Sequence, residues 1–555
     1  MIKPWMMAPL LLAAVQPPTP SRLAEVVLHG GTVYTMDPQQ PLVDAVAIAG
    51  GRFIGAGASR DVLAMRGPAT EVVDLRGATI VPGLQDAHGH VGGLGASLRQ
   101  IDLRDAGSLE IVLTRVREAA RTVRPDTWIT GRGWDQNRWT PPAWPTAAAL
   151  DGAASDHPVW LTRVDGHAGV ANSLAFERAG ITATTPDPAG GRIIRGEGGK
   201  PAGVLIDTAQ QLVASRIPPP SHDEIVDDLL RADRKLSSVG LTMVHDAGVS
   251  PAVIDVYREL VANGRLHTRF YVMVRGDEAD AWFARGPLVD PDHRLDVRAI
   301  KLVADGALGS RGAALLEDYA DEPGNRGLLV TPPDVLYARS RAAVDAGFQV
   351  AIHAIGDRAN REVLDLFERL EREVPGARAL RLRDEHAQVL DARDIPRFHA
   401  LGVIASMQAT HCTSDMPWAP DRLGPSRVAE GAYVWQTLLD TRVVLANGSD
   451  FPVERPDPLL GFYAAVTRQT PDGQPPGGWN PSQRLTREQA LRSFTLAAAT
   501  AAHAERELGS IERGKLADLV VLSRDIMKVP ARDILTTTVL RTMVAGRTVY
   551  EANRQ

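Results

Sequence analysis

A chain of 555 residues, 44% hydrophobic and 23% charged, has the apolar material for a large core and, by length alone, for roughly three to four domains. Its net charge of -6 carries no basic stripe, which argues against a nucleic-acid partner. A single cysteine, Cys412, excludes an internal disulfide and any cysteine-rich zinc module.

Residues 1–22 start with one positive charge, pass through an apolar run and end in Gln16-Pro-Pro-Thr-Pro20. The run is too short to span a bilayer and reads as a signal peptide. Export to the periplasm or medium is the expectation, with a cytoplasmic location if the segment is not cleaved. From 23 to 80 short β-rich segments alternate with glycine turns, and residues 501–555 have the same character. Each end is too small to bury a good core alone. Both are expected to join in one small β-sandwich, with residues 81–500 inserted as a larger domain.

The apolar run from Ile80 to Leu84 reads as a buried strand ending in His88 and His90. Residues two apart in an extended chain point to the same side, so both imidazoles can reach one cation. Seven more buried strands, at 241–246, 268–274, 297–303, 349–353, 380–386, 402–408 and 443–450, alternate with helical segments. That pattern predicts an α/β fold, a (β/α)8 TIM barrel with its site at the C-terminal strand ends. Between about 124 and 220 the alternation breaks down, and five of the ten tryptophans fall there: Trp128, Trp134, Trp139, Trp144 and Trp160. We read an inserted subdomain over the barrel mouth, with most of those rings in a small aromatic core.

His353, His386 and Asp450 close later strands. With His88 and His90 they place five metal-binding groups on four strand ends that a barrel gathers in one place. Lys301 is the sharpest clue, because only six of the 61 basic residues are lysine and this one sits in an apolar strand. Burial and neighbouring cations lower a lysine's pKa. A neutral amine can add carbon dioxide, and the resulting carbamate can bridge two metals. That reading is preferred to a salt bridge with Asp305.

These residues carry a resemblance. His88-x-His90, Lys301, His353, His386 and Asp450, in this order at strand ends, resemble the amidohydrolase superfamily. The formamide-deformylase-like (YtcJ-like) branch is matched through Val81-Pro-Gly-Leu-Gln-Asp-Ala-His-Gly-His90, Lys301-Leu-Val-Ala-Asp-Gly-Ala-Leu-Gly-Ser-Arg311, Ile352-His-Ala-Ile-Gly-Asp357 and Gly448-Ser-Asp450. Gly509-Ser-Ile-Glu-Arg-Gly-Lys-Leu-Ala-Asp518 resembles the superfamily's return to the β-sandwich. The resemblance implies a barrel with a sandwich made from both chain ends, and a metal-dependent hydrolase with carboxylated Lys301 as bridging ligand. Some related branches bridge with a cysteine, but Cys412 follows the seventh strand and receives no metal role.

The expected chemistry is hydrolysis of an amide or N-acyl carbon–nitrogen bond by a metal-bridging hydroxide. Two divalent metal ions, zinc first among the candidates, are expected: one on His88 and His90, the other on His353 and His386. Asp450, a ligand of the first, is the expected proton shuttle. The substrate is a small molecule with an amide or ester carbonyl, partly apolar, and a homodimer is allowed. Esterase, lactonase or phosphotriesterase activity on the same centre is the alternative, then a deaminase; a non-catalytic binding module is disfavoured by the intact ligand set. Substrate-binding candidates are His411 and Asp415 after the seventh strand, and Asp165 and His167 in the insertion. His245 and Asp246 are candidates for supporting the ligands.

Overall fold

The computed structural model describes residues 23–136, 139–163, 168–188, 191–309 and 311–553. The signal peptide expected over 1–22 lies outside the described residues. Eight short strands, mostly apolar and each leading to a polar group at its C-terminal end, pair in parallel and in chain order. They are β1 (Leu84–Gly89), β2 (Leu241–Val249), β3 (Arg269–Arg275) and β4 (Leu295–Val303), then β5 (Gln349–Ala354), β6 (Arg383–His386), β7 (Ile404–Gln408) and β8 (Leu445–Gly448). β8 comes back beside β1, where Asp450 N donates to His88 O at 2.7 Å and Ser449 N to Asp86 Oδ1 at 3.1 Å. The helices cover the outside. The one at Asp357–Glu373 shows why: Val363, Phe367 and Leu370 recur at helical spacing on one buried stripe, with charged residues between.

The first barrel strand differs from the expectation. The run from Ile80 to Leu84 is divided between two sheets. Thr79–Pro82 pairs antiparallel with Leu519–Leu522 and parallel with Ala24–Tyr34, while Leu84 opens the barrel. Gly83 makes the break in a space with no room for a side chain, since a Cβ there would sit 2.3 Å from Thr242 Oγ1. His88 therefore stands inside β1 rather than past its end.

Thr79–Pro82 belongs to an eight-stranded sheet built from both chain ends, ordered Arg547–Glu551, Val539–Val544, Leu519–Leu522, Thr79–Pro82, Ala24–Tyr34, Leu42–Ala49 and Arg52–Gly57, with Arg66–Asp74 beside Ala24–Tyr34. Alternation decides its two faces. Leu28, Val46 and Ile48 join Leu519 and Val521 in one core, and Val27, Ala45 and Ala47 join Val62 in another. Arg269 at the start of β3 forms a fully buried pair with Asp518, 2.7 and 2.9 Å, fastening this sheet to the barrel.

Between β1 and β2 lies a separate six-stranded sheet, from Ile101–Asp102 to Pro201–Asp207. Trp134 and Trp139 are buried in its core, their indoles donating to Leu161 O and Ala106 O at 2.8 and 2.9 Å. Trp160 packs with Phe176 in a second small core.

Candidate metal centre

A cavity of about 1000 Å³ opens at the C-terminal ends of the barrel strands, and His88, His90, Lys301, His353, His386, His411, Asp415 and Asp450 all line it. Its apolar wall includes Leu302, Leu308, Ile355 and Trp418. No described residue of the inserted sheet lines it, and the one tryptophan among the described lining residues, Trp418, comes from the β7 side. Asp165 and His167 lie outside the described residues.

His88 on β1 and His90 just beyond it both turn toward the Asp450 carboxylate: their Nε2 atoms are 3.7 and 3.0 Å from Oδ1. Lys301 Nζ, from β4, lies 3.1 Å from His88 Nε2. The rings of His353 and His386, on β5 and β6, meet edge to face with centroids 4.5 Å apart. The His386 and His88 centroids are 4.9 Å apart. The six residues thus come to one place from five strand ends. His386 and Asp450 both hold a left-handed backbone, φ 80° and 58°.

Three of the four rings are oriented from behind. His88 Nδ1 donates to Glu385 Oε2 at 2.5 Å, His90 Nδ1 to Ala247 O at 2.9 Å and His386 Nδ1 to Gln408 Oε1 at 2.7 Å. With the proton fixed on Nδ1, Nε2 of His88 and of His386 presents its lone pair to the shared space, the arrangement of metal-binding imidazoles, while burial of His90 is outweighed by the Asp450 carboxylate, which raises that ring above its ordinary value. His353 Nε2 is buried with no hydrogen-bond partner. His88, His90 and Asp450 bring ligand atoms within 4.8 Å of one another, as do His386, His411 and Asp450. Imidazoles converging on a carboxylate fit a divalent cation better than they fit one another.

The electrostatics agree with that fit. Burial, then the Lys301 charge, pushes His88 down to about 4 and His353 to about 3, so both are neutral at pH 7. Burial also holds His386 well below the histidine range. Burial opposes the Asp450 charge, but the His90 hydrogen bond and the neighbouring imidazoles outweigh it and keep the carboxylate well below its ordinary range. Lys301, buried, is lowered to about 8 in spite of Glu385 and Asp450. Asp305 is not its partner. That carboxylate accepts from the backbone N–H of Ala314, Ile355 and Gly356, which shapes the loop after β4.

Of the groups that support the ligands, sequence reasoning named His245 and Asp246 and passed over Glu385, Arg383 and Asp86. Glu385 accepts from Arg383 Nε at 2.6 Å as well as from His88, and both side chains are fully buried inside the barrel. Arg383 also reaches His245 Nδ1, at 2.9 Å. Asp86 accepts from His88 N, Ser449 N and Ser449 Oγ at 3.0, 3.1 and 2.7 Å, joining β1 to β8. Asp246 accepts from Val91 N at 2.9 Å and from Tyr257 OH at 2.7 Å, so it steadies the turn after His90. The available signal was alternation: in Arg383-Asp-Glu-His386 two opposite charges occupy one face of a central strand, where each must find a partner.

A model of the amidohydrolase family matches residues 71–550. The protein belongs to the amidohydrolase family. This amidohydrolase is 35% identical over 553 residues to protein LONG AFTER FAR-RED 3 of Arabidopsis thaliana, covering 97% of this chain and 94% of that one. It is 34% identical to YtcJ of Bacillus subtilis (95% and 99% covered) and 29% identical to the N-substituted formamide deformylase of Arthrobacter pascens (96% and 99%). The crystal structure of a metal-dependent hydrolase from Pyrococcus furiosus superimposes with a TM-score of 0.77 at 30% identity, covering 91% of this chain and 100% of that one. These relatives place the amidohydrolase in the YtcJ-like branch and make it a metal-dependent hydrolase.

Proposed function

We propose that this amidohydrolase cleaves the carbon–nitrogen bond of a small amide or N-acyl compound. His88 and His90 would hold one divalent cation and His353 and His386 a second, with zinc the first choice. Lys301, as its carbamate, and Asp450 complete the set. When bound, the cations would acidify a water molecule and polarise the substrate carbonyl.

Asp450 carries the reading. It stands 3.0 Å from His90 Nε2 and is ionised at neutral pH, so its oxygens are free of a proton and placed to receive one. It takes the proton that the attacking water gives up and passes it to the departing nitrogen, which leaves poorly as an anion. An alkoxide leaves more readily, so such a shuttle is needed most for amides. The name of the Arthrobacter relative, an N-substituted formamide deformylase, supports an amide, and the wall of Leu302, Leu308, Ile355 and Trp418 suits a partly apolar substrate.

The test is a panel of matched amides, esters, lactones, phosphotriesters and aminated heterocycles, run before and after chelation. Chelator-sensitive amide cleavage is the expected result. Turnover of only esters or phosphotriesters, or release of ammonia from the heterocycles, would replace the reading.

A further inference from the structure

We propose that His411 is a catalytic residue of this amidohydrolase, donating from Nε2 to the carbonyl oxygen of the substrate as that oxygen gains negative charge. The inference rests on the hydrolase reading above and adds a group that the cations and Asp450 do not supply.

His411 lies in the helix Ala409–Asp415, which leaves β7 directly. The helix is held at both ends: Ala409 N donates to Asn447 Oδ1 at 3.1 Å, and Asp415 Oδ2 accepts from Gln388 Nε2 at 3.0 Å and from the Tyr433 hydroxyl. The His411 ring stacks on His386, centroids 5.9 Å apart and planes 17° apart. Its Nε2 is buried, lines the cavity and has no hydrogen-bond partner. An unsatisfied buried nitrogen is costly, so a ring fixed this firmly with Nε2 unmatched is set for a group that arrives from outside.

That nitrogen lies 3.6 Å from Asp450 Oδ2. The carboxylate beside it favours the tautomer with the proton on Nε2, which makes His411 a donor. The carbon that is attacked must lie within reach of Asp450, and an oxygen bonded to that carbon is then within reach of His411. In the reaction the water oxygen bonds to the carbonyl carbon, the carbon–nitrogen bond breaks, and the water proton passes through Asp450 to nitrogen. Acid and amine depart. His411 keeps its proton throughout and supplies only a hydrogen bond.

Because His386, His411 and Asp450 bring ligand atoms within 4.8 Å of one another, cation binding by His411 is the competing outcome. The test uses His411→Ala and His411→Gln in the metal-loaded protein, with methylphosphonate as a tetrahedral oxyanion probe. Expected in the alanine variant are unchanged metal content, methylphosphonate binding weaker by about 10-fold or more, and partial recovery with glutamine, whose amide can donate. On the amide found by the panel, kcat should fall by about 10²–10³ with little change in KM. Unchanged methylphosphonate affinity, failure of the wild-type protein to bind it, or loss of a cation from the variants would overturn the proposal. Anion binding needs no turnover, so a protein inert toward every amide and ester would defeat the proposed function while His411 is still decided by the probe.

Discussion

Glu385 holds the imidazole of His88 across the barrel interior, 2.5 Å from Nδ1 and 297 positions away in the chain. The carboxylate is itself set by Arg383, so the first candidate ligand is oriented by an ion pair on a strand that is not its neighbour. Burial works against the Glu385 charge, but Arg383 and His88 hold it well below the ordinary range. In Glu385→Gln the metal dissociation constant should rise about 10- to 100-fold, as for other carboxylates behind a metal-binding histidine. Arg383 would lose its counter-ion, lowering the stability of the metal-free protein by about 3 kcal/mol. Chelator competition and denaturant unfolding measure both; unchanged metal affinity would remove Glu385 from the site's support.

Asp450→Asn separates binding from turnover. The amide keeps an oxygen for the cation and loses the ability to carry a proton. Metal content should stay near that of the wild type while kcat falls by about 10²–10⁴, the usual contribution of acid–base catalysis. Normal turnover in this variant would mean that the proton takes another route.

Lys301→Ala tests the bridging role. Lys301 has no carboxylate within 4 Å among the described residues, so its removal leaves no buried acid unpaired. Loss of bound metal, with partial recovery of metal and activity in millimolar acetate or propionate, is expected if a carbamate normally stands there. Full metal content in the variant without added acid would count against it.

Gly448→Ala probes the seam between β8 and β1. A Cβ at Gly448 would lie 2.5 Å from His88 N and 2.7 Å from Asp86 Oδ1. Neither backbone nor buried carboxylate can give way cheaply, so His88 and Asp450 should move apart. Activity should fall by more than about tenfold and stability by about 1–3 kcal/mol, the usual cost of overpacking. A variant with wild-type kinetics would show the seam to be more compliant than its contacts imply.

Away from the site, His503 gives a pH prediction. Burial, then Arg298 and Arg381, lowers it to about 4, against about 6.5 for a free histidine. Below pH 6.5 the unfolded chain binds a proton that the folded one refuses, so this contribution to stability is lost as pH falls from 6.5 toward 4. At pH 5 the loss should be about 1–2 kcal/mol. His503→Asn, which tolerates the left-handed backbone there (φ 58°), should flatten the dependence, as read by unfolding at pH 7 and pH 5. An unaltered slope would place the acid sensitivity elsewhere.

The residues that line the cavity were legible because each stands where a strand ends, and a closed barrel converts such positions into proximity without further information. Lys301 was legible by rarity. Boundaries were less so: periodicity cannot tell that Val81 and Leu84 belong to different sheets, since both are buried and the break at Gly83 is a matter of space beside Thr242. Glu385 and Asp86 were hidden for a related reason. Their partners lie on distant segments, and nothing local distinguishes an inward carboxylate from one that caps a turn. The insertion's tryptophans were read as a core, and Trp134, Trp139 and Trp160 lie in the cores of its own sheet.

Asp86 links the strand that brings two histidines to the segment that brings Asp450, 363 positions from Asp86 to Ser449. Until residue 450 has been made, those histidines lack the carboxylate that faces both of their Nε2 atoms. The eighth strand, last of the barrel in chain order, therefore leads to the acid that completes the group. A nascent or truncated chain lacking that strand would carry the imidazoles without the carboxylate that faces them, and the metal affinity expected of the finished site would arrive only with completion of the fold.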